Sequence, residues 1–247
     1  HAKGQLYGGW SDATSTSLIS YMYDGSDTTW DTGGQIAPQV LVDATSSGVS
    51  GGTAALTIEH VVANKANRLL LVLISAPSAP SGVTFNSDAL TQLDTQANGS
   101  CDAHIWYRVA PDVATGDIVV SFSGSTAVNV SAVSMWNVDQ STPFGTAVKG
   151  TGTFGTAEPS LDVTTTYGDL VFDVVATEAG ITSSAPGEGQ TEIRDNVTGG
   201  HNVIVTSRKY AESTTTTMSH DLAGSGTPDW AHIAVGVKAA TSGGAVN

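Results

Sequence analysis

Six histidines, one cysteine and a surplus of carboxylates are the groups in this 247-residue chain that could do chemistry. His1, His60, His104, His201, His220 and His232 form no H-E-x-x-H motif and no pair at helical spacing, so no helix-borne metal site is encoded. His60, His104, His220 and His232 fall in segments that read as strands, where a histidine is ordinarily a satisfied structural residue. Asp24-Gly25-Ser26-Asp27, with Asp31 nearby, supplies hard oxygen ligands of the kind calcium takes, but without the spacing of an EF-hand. A solvated turn is the plainer reading, and no cofactor other than calcium is suggested. Gly48-Val49-Ser50-Gly51-Gly52 matches G-x-S-x-G, a pattern that needs a strand before it and a helix after it. Here it sits in Gly/Ser-rich sequence followed by strand-like residues, so it reads as coincidence. The 23 acidic residues offer many carboxylate pairs for glycoside hydrolysis, none marked out by its surroundings. Cys101 is the sole cysteine, which excludes an internal disulfide and suits a small buried apolar position. No catalytic residue is assigned, and a non-enzyme is expected.

The elements that would position any site are strands. Ile118, Val120 and Phe122 alternate with Val119 and Ser121, and Ile233, Val235 and Val237 with Ala234, Gly236 and Lys238. Period two with small or polar residues between means one face buried and one wet. Residues 68–75 and 169–177 are richer in apolar side chains, as central strands covered on both faces would be. Clusters such as Asn98-Gly99-Ser100, Ser123-Gly124-Ser125 and Gly224-Ser225-Gly226 punctuate these runs. The expectation is an all-β chain: a two-layer antiparallel β-sandwich, jelly-roll-like, with an N-terminal arm. Leu71, Phe122, Val130, Phe172, Val174 and Val235 are expected in its core. Trp136 is expected buried beside Met135.

A weak repeat underlies the pattern. Arg68-Leu69-Leu70-Leu71-Val72-Leu73-Ile74 resembles Asp169-Leu170-Val171-Phe172-Asp173-Val174-Val175, and the same order of elements follows each. One sandwich with interleaved halves is the simplest physical reading; two sandwiches in tandem is the alternative.

Residues 1–48 read as a separate arm, 49–240 as the sandwich and 241–247 as a tail that neighbouring chains would hold. The arm carries Tyr7, Trp10, Tyr21, Tyr23 and Trp30 among Asp12, Asp24, Asp27 and Asp31, and residues 46–52 read as its glycine hinge. Aromatic anchors with few basic neighbours suit contacts to a subunit or ligand. The net charge of −14, from 9 basic and 23 acidic residues, argues against nucleic acid and anionic membranes as partners. The charged fraction of 13% is low, with Ser, Thr, Asn and Gly supplying the polar surface. The longest aliphatic run, residues 69–74, is far short of the about 20 residues a membrane helix needs. The chain opens without Met, as after a cleaved leader or inside a longer protein.

Three stretches together, Asn67-Arg68-Leu69-Leu70-Leu71-Val72, Val133-Ser134-Met135-Trp136-Asn137-Val138 through Pro143, and Asp229-Trp230-Ala231-His232-Ile233-Ala234-Val235, resemble a loose group of jelly-roll-like sandwich domains of bacterial surface proteins and phage structural proteins. The likeness spans roughly residues 50–240 and consists of core strands and turns, so it implies fold and setting rather than a site. It implies a structural subunit of a virion, as capsid decoration or tail, or of an extracellular assembly. Such a subunit would stand outside the cytoplasm, as a homo-oligomer or beside other subunits. A glycan-binding or adhesion module is the alternative, which would need exposed rings among Trp106, Trp136 and Trp230 or in the arm. A polysaccharide-active enzyme is the distant third. In that class the lytic polysaccharide monooxygenases bind copper through an N-terminal histidine, the one feature His1 shares with them.

Overall fold

The computed structural model describes residues 39–196 and 203–240. Their regular elements are all strands. The first half holds β1 (Leu41–Val62), β2 (Leu69–Ala76), β3 (Gly82–Phe85), β4 (Asp88–Ala89), β5 (Thr91–Asn98), β6 (Cys101–Val109) and β7 (Ala114–Trp136). The second holds β8 (Val148–Thr153), β9 (Ser160–Thr164), β10 (Leu170–Thr177), β11 (Ile181–Pro186), β12 (Thr191–Asn196), β13 (Val203–Tyr210), β14 (Thr215–Gly224) and β15 (Asp229–Val237).

Every ladder is antiparallel and joins strands of one half only. The two halves have the same plan. β2 lies between β6 and β7 as β10 lies between β13 and β15, and β5 flanks β6 as β12 flanks β13. The early part of β7 pairs with β3 and the late part of β1, as β14 pairs with β11 and β9. The halves therefore do not interleave within a sheet: in each, antiparallel sheets pack together as in the β-sandwich expected from the sequence, and the two halves share one core.

In the first half β1 and β7 form one long ribbon that passes from layer to layer. Leu41 faces Trp136 at one end and Val62 faces Ala114 at the other. The ribbon turns at register shifts between Ser50 and Thr53 and between Thr53 and Ala55. Extra residues of this kind bend a strand pair. Residues 46–52 are thus the bend of a paired strand and not a hinge, and residues 41–48 belong to the sandwich rather than to an arm. Gly48 is required there, because a side chain would run into Ile58 on the returning part of β1. In the second half the corresponding ribbon is cut, giving β8 and β9 on one side and β14 and β15 on the other.

β2 and β10 are buried along their whole length, because each is covered on both faces. Leu69, Leu71 and Leu73 meet Leu170, Phe172 and Val174 in the core shared by the halves. Leu70, Val72 and Ile74 face Ile118, Val120 and Phe85 inside the first sandwich. The second sandwich is filled differently, by two small apolar clusters: Val175, Ile181, Val205, Leu222 and Trp230, then Val163, Val171, Met218 and Ala234. All six expected core residues are buried. Trp136 is not: it ends β7 and stays half-buried, with the Lys65 ammonium 5.5 Å from its ring centre.

Gln39 and Ala240, the first and last described residues, are held by one residue. The Asn137 side chain donates to the Gln39 carbonyl at 2.7 Å, while its own carbonyl accepts from the Ala240 amide at 2.9 Å.

Candidate functional site

Between the two small clusters of the second sandwich lies a belt of polar side chains. Asp173 is the inward residue of β10 between Val171 and Val175, His220 that of β14 between Met218 and Leu222, and His232 that of β15 between Trp230 and Ala234. Strand alternation aims all three at one point from two facing sheets. His220 Nε2 donates to Asp173 Oδ2 at 2.8 Å, and His232 Nε2 donates to the same oxygen at 3.1 Å. The Ser207 amide and hydroxyl both donate to Asp173 Oδ1 at 2.8 Å. Gln190 in turn donates to the Ser207 hydroxyl at 2.7 Å and accepts from the Ser219 amide at 2.8 Å. Ser184 Oγ lies 3.3 Å from His220 Nδ1, and the Ser184 amide donates to Asp195.

Asp173, His220 and His232 are at most 2% exposed. Burial alone would raise the Asp173 pKa; the His220 charge and the hydrogen bonds from both histidines outweigh it and hold the carboxyl well below its ordinary range. Burial pushes His220 down, but the adjoining carboxylate prevails and raises it. For His232 burial prevails, and its pKa is lowered. Charge in the belt is thus favoured on Asp173 and His220 and disfavoured on His232. His232 Nδ1 is buried with no partner among the protein groups.

Ser184, His220 and Asp173 have the composition of a hydrolytic triad, with Ser184 Oγ 3.3 Å from His220 Nδ1 and the His220–Asp173 pair buried. The donor set of two imidazoles and a carboxylate is also one that metal ions take.

The other groups singled out in the sequence are dispersed. His60 and His104 are buried in β1 and β6, their Nδ1 atoms 2.8 Å from Ser46 Oγ and Thr95 Oγ1. Burial, partly offset for His60 by the Asp43 charge, lowers both to about 4. Cys101 is buried, and burial first, then Glu178, Asp229 and Asp102, push its thiol up to about 12, so it is inert at neutral pH. Ser50 lies in the β1 bend with no helix after it. Glu59 and Asp117 face each other across β1 and β7 in a shallow depression shared with Thr84, Asn86 and Ser87. Trp106 and Trp230 are buried and present no ring to a sugar. Tyr7, Trp10, Tyr21, Tyr23, Trp30, Asp24, Asp27, Asp31, His1, His201 and the tail 241–247 lie outside the described residues.

Reading the histidines singly missed the convergence of His220 and His232. The signal was Asp173 itself, a lone carboxylate in an otherwise apolar central strand. Such a group demands buried partners.

Comparison with family models, with curated proteins and with solved structures gave no match.

Proposed function

We propose that the chain is a non-catalytic structural subunit of an assembly outside the cytoplasm, a virion decoration or tail component or a surface assembly. The observation that carries this reading is the sealed state of the polar belt. Asp173, His220 and His232 tie two layers together and are withdrawn from solvent. A surface that is acidic yet low in charge fits such a setting, and so does a repeated sandwich body, in which side chains are spent on packing.

Assembly is assigned to residues 1–38, where the aromatic anchors stand. Light scattering after size-exclusion chromatography should find the full chain oligomeric. A chain starting at Gln39, which keeps β1 whole, should be folded and monomeric. A full chain that stays monomeric at high concentration would overturn the proposal. Competable binding of the full chain on a glycan array would replace it with the adhesion reading.

A further inference from the structure

We propose that Asp173, His220 and His232 bind a divalent transition-metal ion of the zinc class. The proposal is independent of any role in assembly. The carboxylate oxygen and the two Nε2 atoms lie within 4.8 Å of one another, on three strands from two facing sheets. Two nitrogens and one oxygen suit zinc, cobalt or nickel, whereas calcium and magnesium prefer oxygen alone. A tetrahedral ion with bonds of about 2.0 Å sets neighbouring ligand atoms roughly 3.3 Å apart. The two oxygen–nitrogen separations of 2.8 and 3.1 Å have to widen by a few tenths of an ångström, and the two nitrogens, within 4.8 Å of each other, have to settle to the same spacing, for an ion to take the place of the two shared hydrogens.

The surroundings are those of a ligand set held in place. Ser207 fixes Asp173 Oδ1 through two donors, with Gln190 behind it, and Ser184 Oγ stands against the far nitrogen of His220. Ligating groups are commonly oriented by such outer partners.

The repeat supplies an internal control. β2 and β10 align from Leu69 and Leu170, so Val72 stands where Asp173 does. Val130 pairs with Ile74 as His232 pairs with Val175. β7 pairs with the late part of β1 as β14 pairs with β9, so the inward residues Ile118, Val120 and Phe122 of β7 occupy the stretch corresponding to that where His220 lies. All three valines are buried in one continuous apolar cluster. The same plan is thus built with hydrocarbon in one half and with three metal-ligating side chains in the other. Buried ionic groups are frequently replaceable by apolar ones without loss of stability, so packing alone does not call for Asp and two His here. A metal ion does, and it would staple the small sheet β9–β14–β11 onto β10 and β15 where their apolar contact is interrupted.

Because the belt is sealed, the ion has to be taken up as the chain folds. The full chain is unfolded with denaturant and chelator, refolded with cobalt or without metal, and desalted. The expected result is one cobalt retained per chain, with the intense visible bands of a tetrahedral site, and a higher melting temperature than the metal-free preparation. The variant D173V/H220V/H232V, which is apolar there like the first half, should fold and retain none. Wild-type protein that keeps no more cobalt than this variant overturns the proposal. Should the triple variant fail to fold, H232Q takes its place, and cobalt retention by H232Q equal to wild type overturns it equally.

Discussion

At the scale of residues, the described histidines divide by their partners. His220 shares a proton with a carboxylate, while His60 and His104 meet only hydroxyls and stay neutral. The second group makes stability depend on pH in a defined direction. Their folded-state pKa values, lowered to about 4, lie below the ordinary value near 6.5. The folded state therefore takes up their protons less readily than the unfolded chain. The stability they contribute is complete above about pH 6.5 and is lost as pH falls through 4, about 3 kcal/mol for each histidine. Urea unfolding measured from about pH 7 to about pH 4 should show this loss, and H60Q/H104Q should flatten it. An equally steep loss in the double variant would assign the effect to other groups.

Elements were more legible than their partners. Alternation at Ile118, Val120 and Phe122 and continuous apolarity at residues 169–177 correctly mark strands covered on one face and on both, because side-chain period follows directly from strand geometry. The bend of β1 was not legible. Gly48, Gly51 and Gly52 look like a flexible linker, since the sequence cannot show that Ile58 returns over Gly48. Convergence of Asp173, His220 and His232 escaped for the same reason: each strand declares its own inward face, but register between distant strands decides which inward residues meet. Trp230 depends on the strand beside it in a comparable way. Its ring lies against Gly152 of β8, and its Nε1 donates to the Ala157 carbonyl at 3.0 Å. G152A should push the indole away, cost about 1–3 kcal/mol and shift tryptophan emission to the red. A variant with wild-type stability and spectrum would show that β8 yields instead.

At the scale of the whole molecule, two sandwiches share one core through their larger sheets, and polar ties reinforce the seam. The Ser100 amide and hydroxyl donate to Glu178, Lys149 bonds Asp94, and Asn98 donates to the carbonyls of Gly152 and Trp230. Each half alone would expose the face that carries Leu71 or Phe172, so the halves are copies in plan but not independent in stability. The second half differs inside, where a broken ribbon and a polar belt replace a continuous ribbon and an unbroken apolar cluster.

Asn137 gives this body an unusual property. Because one asparagine clasps both Gln39 and Ala240, the path of the chain between them begins and ends at one spot. The body is topologically a bud: it can be spliced into a loop of a host protein, or closed into a ring, without stretching either. A circular permutant joining Ala240 to Gln39 through a short linker, with new ends at the Gly124 tip, should therefore keep the parent's fold and melting temperature within a few degrees. A permutant that fails to fold would mean that the continuous β1–β7 ribbon, and not the meeting of the ends, governs how the body is made.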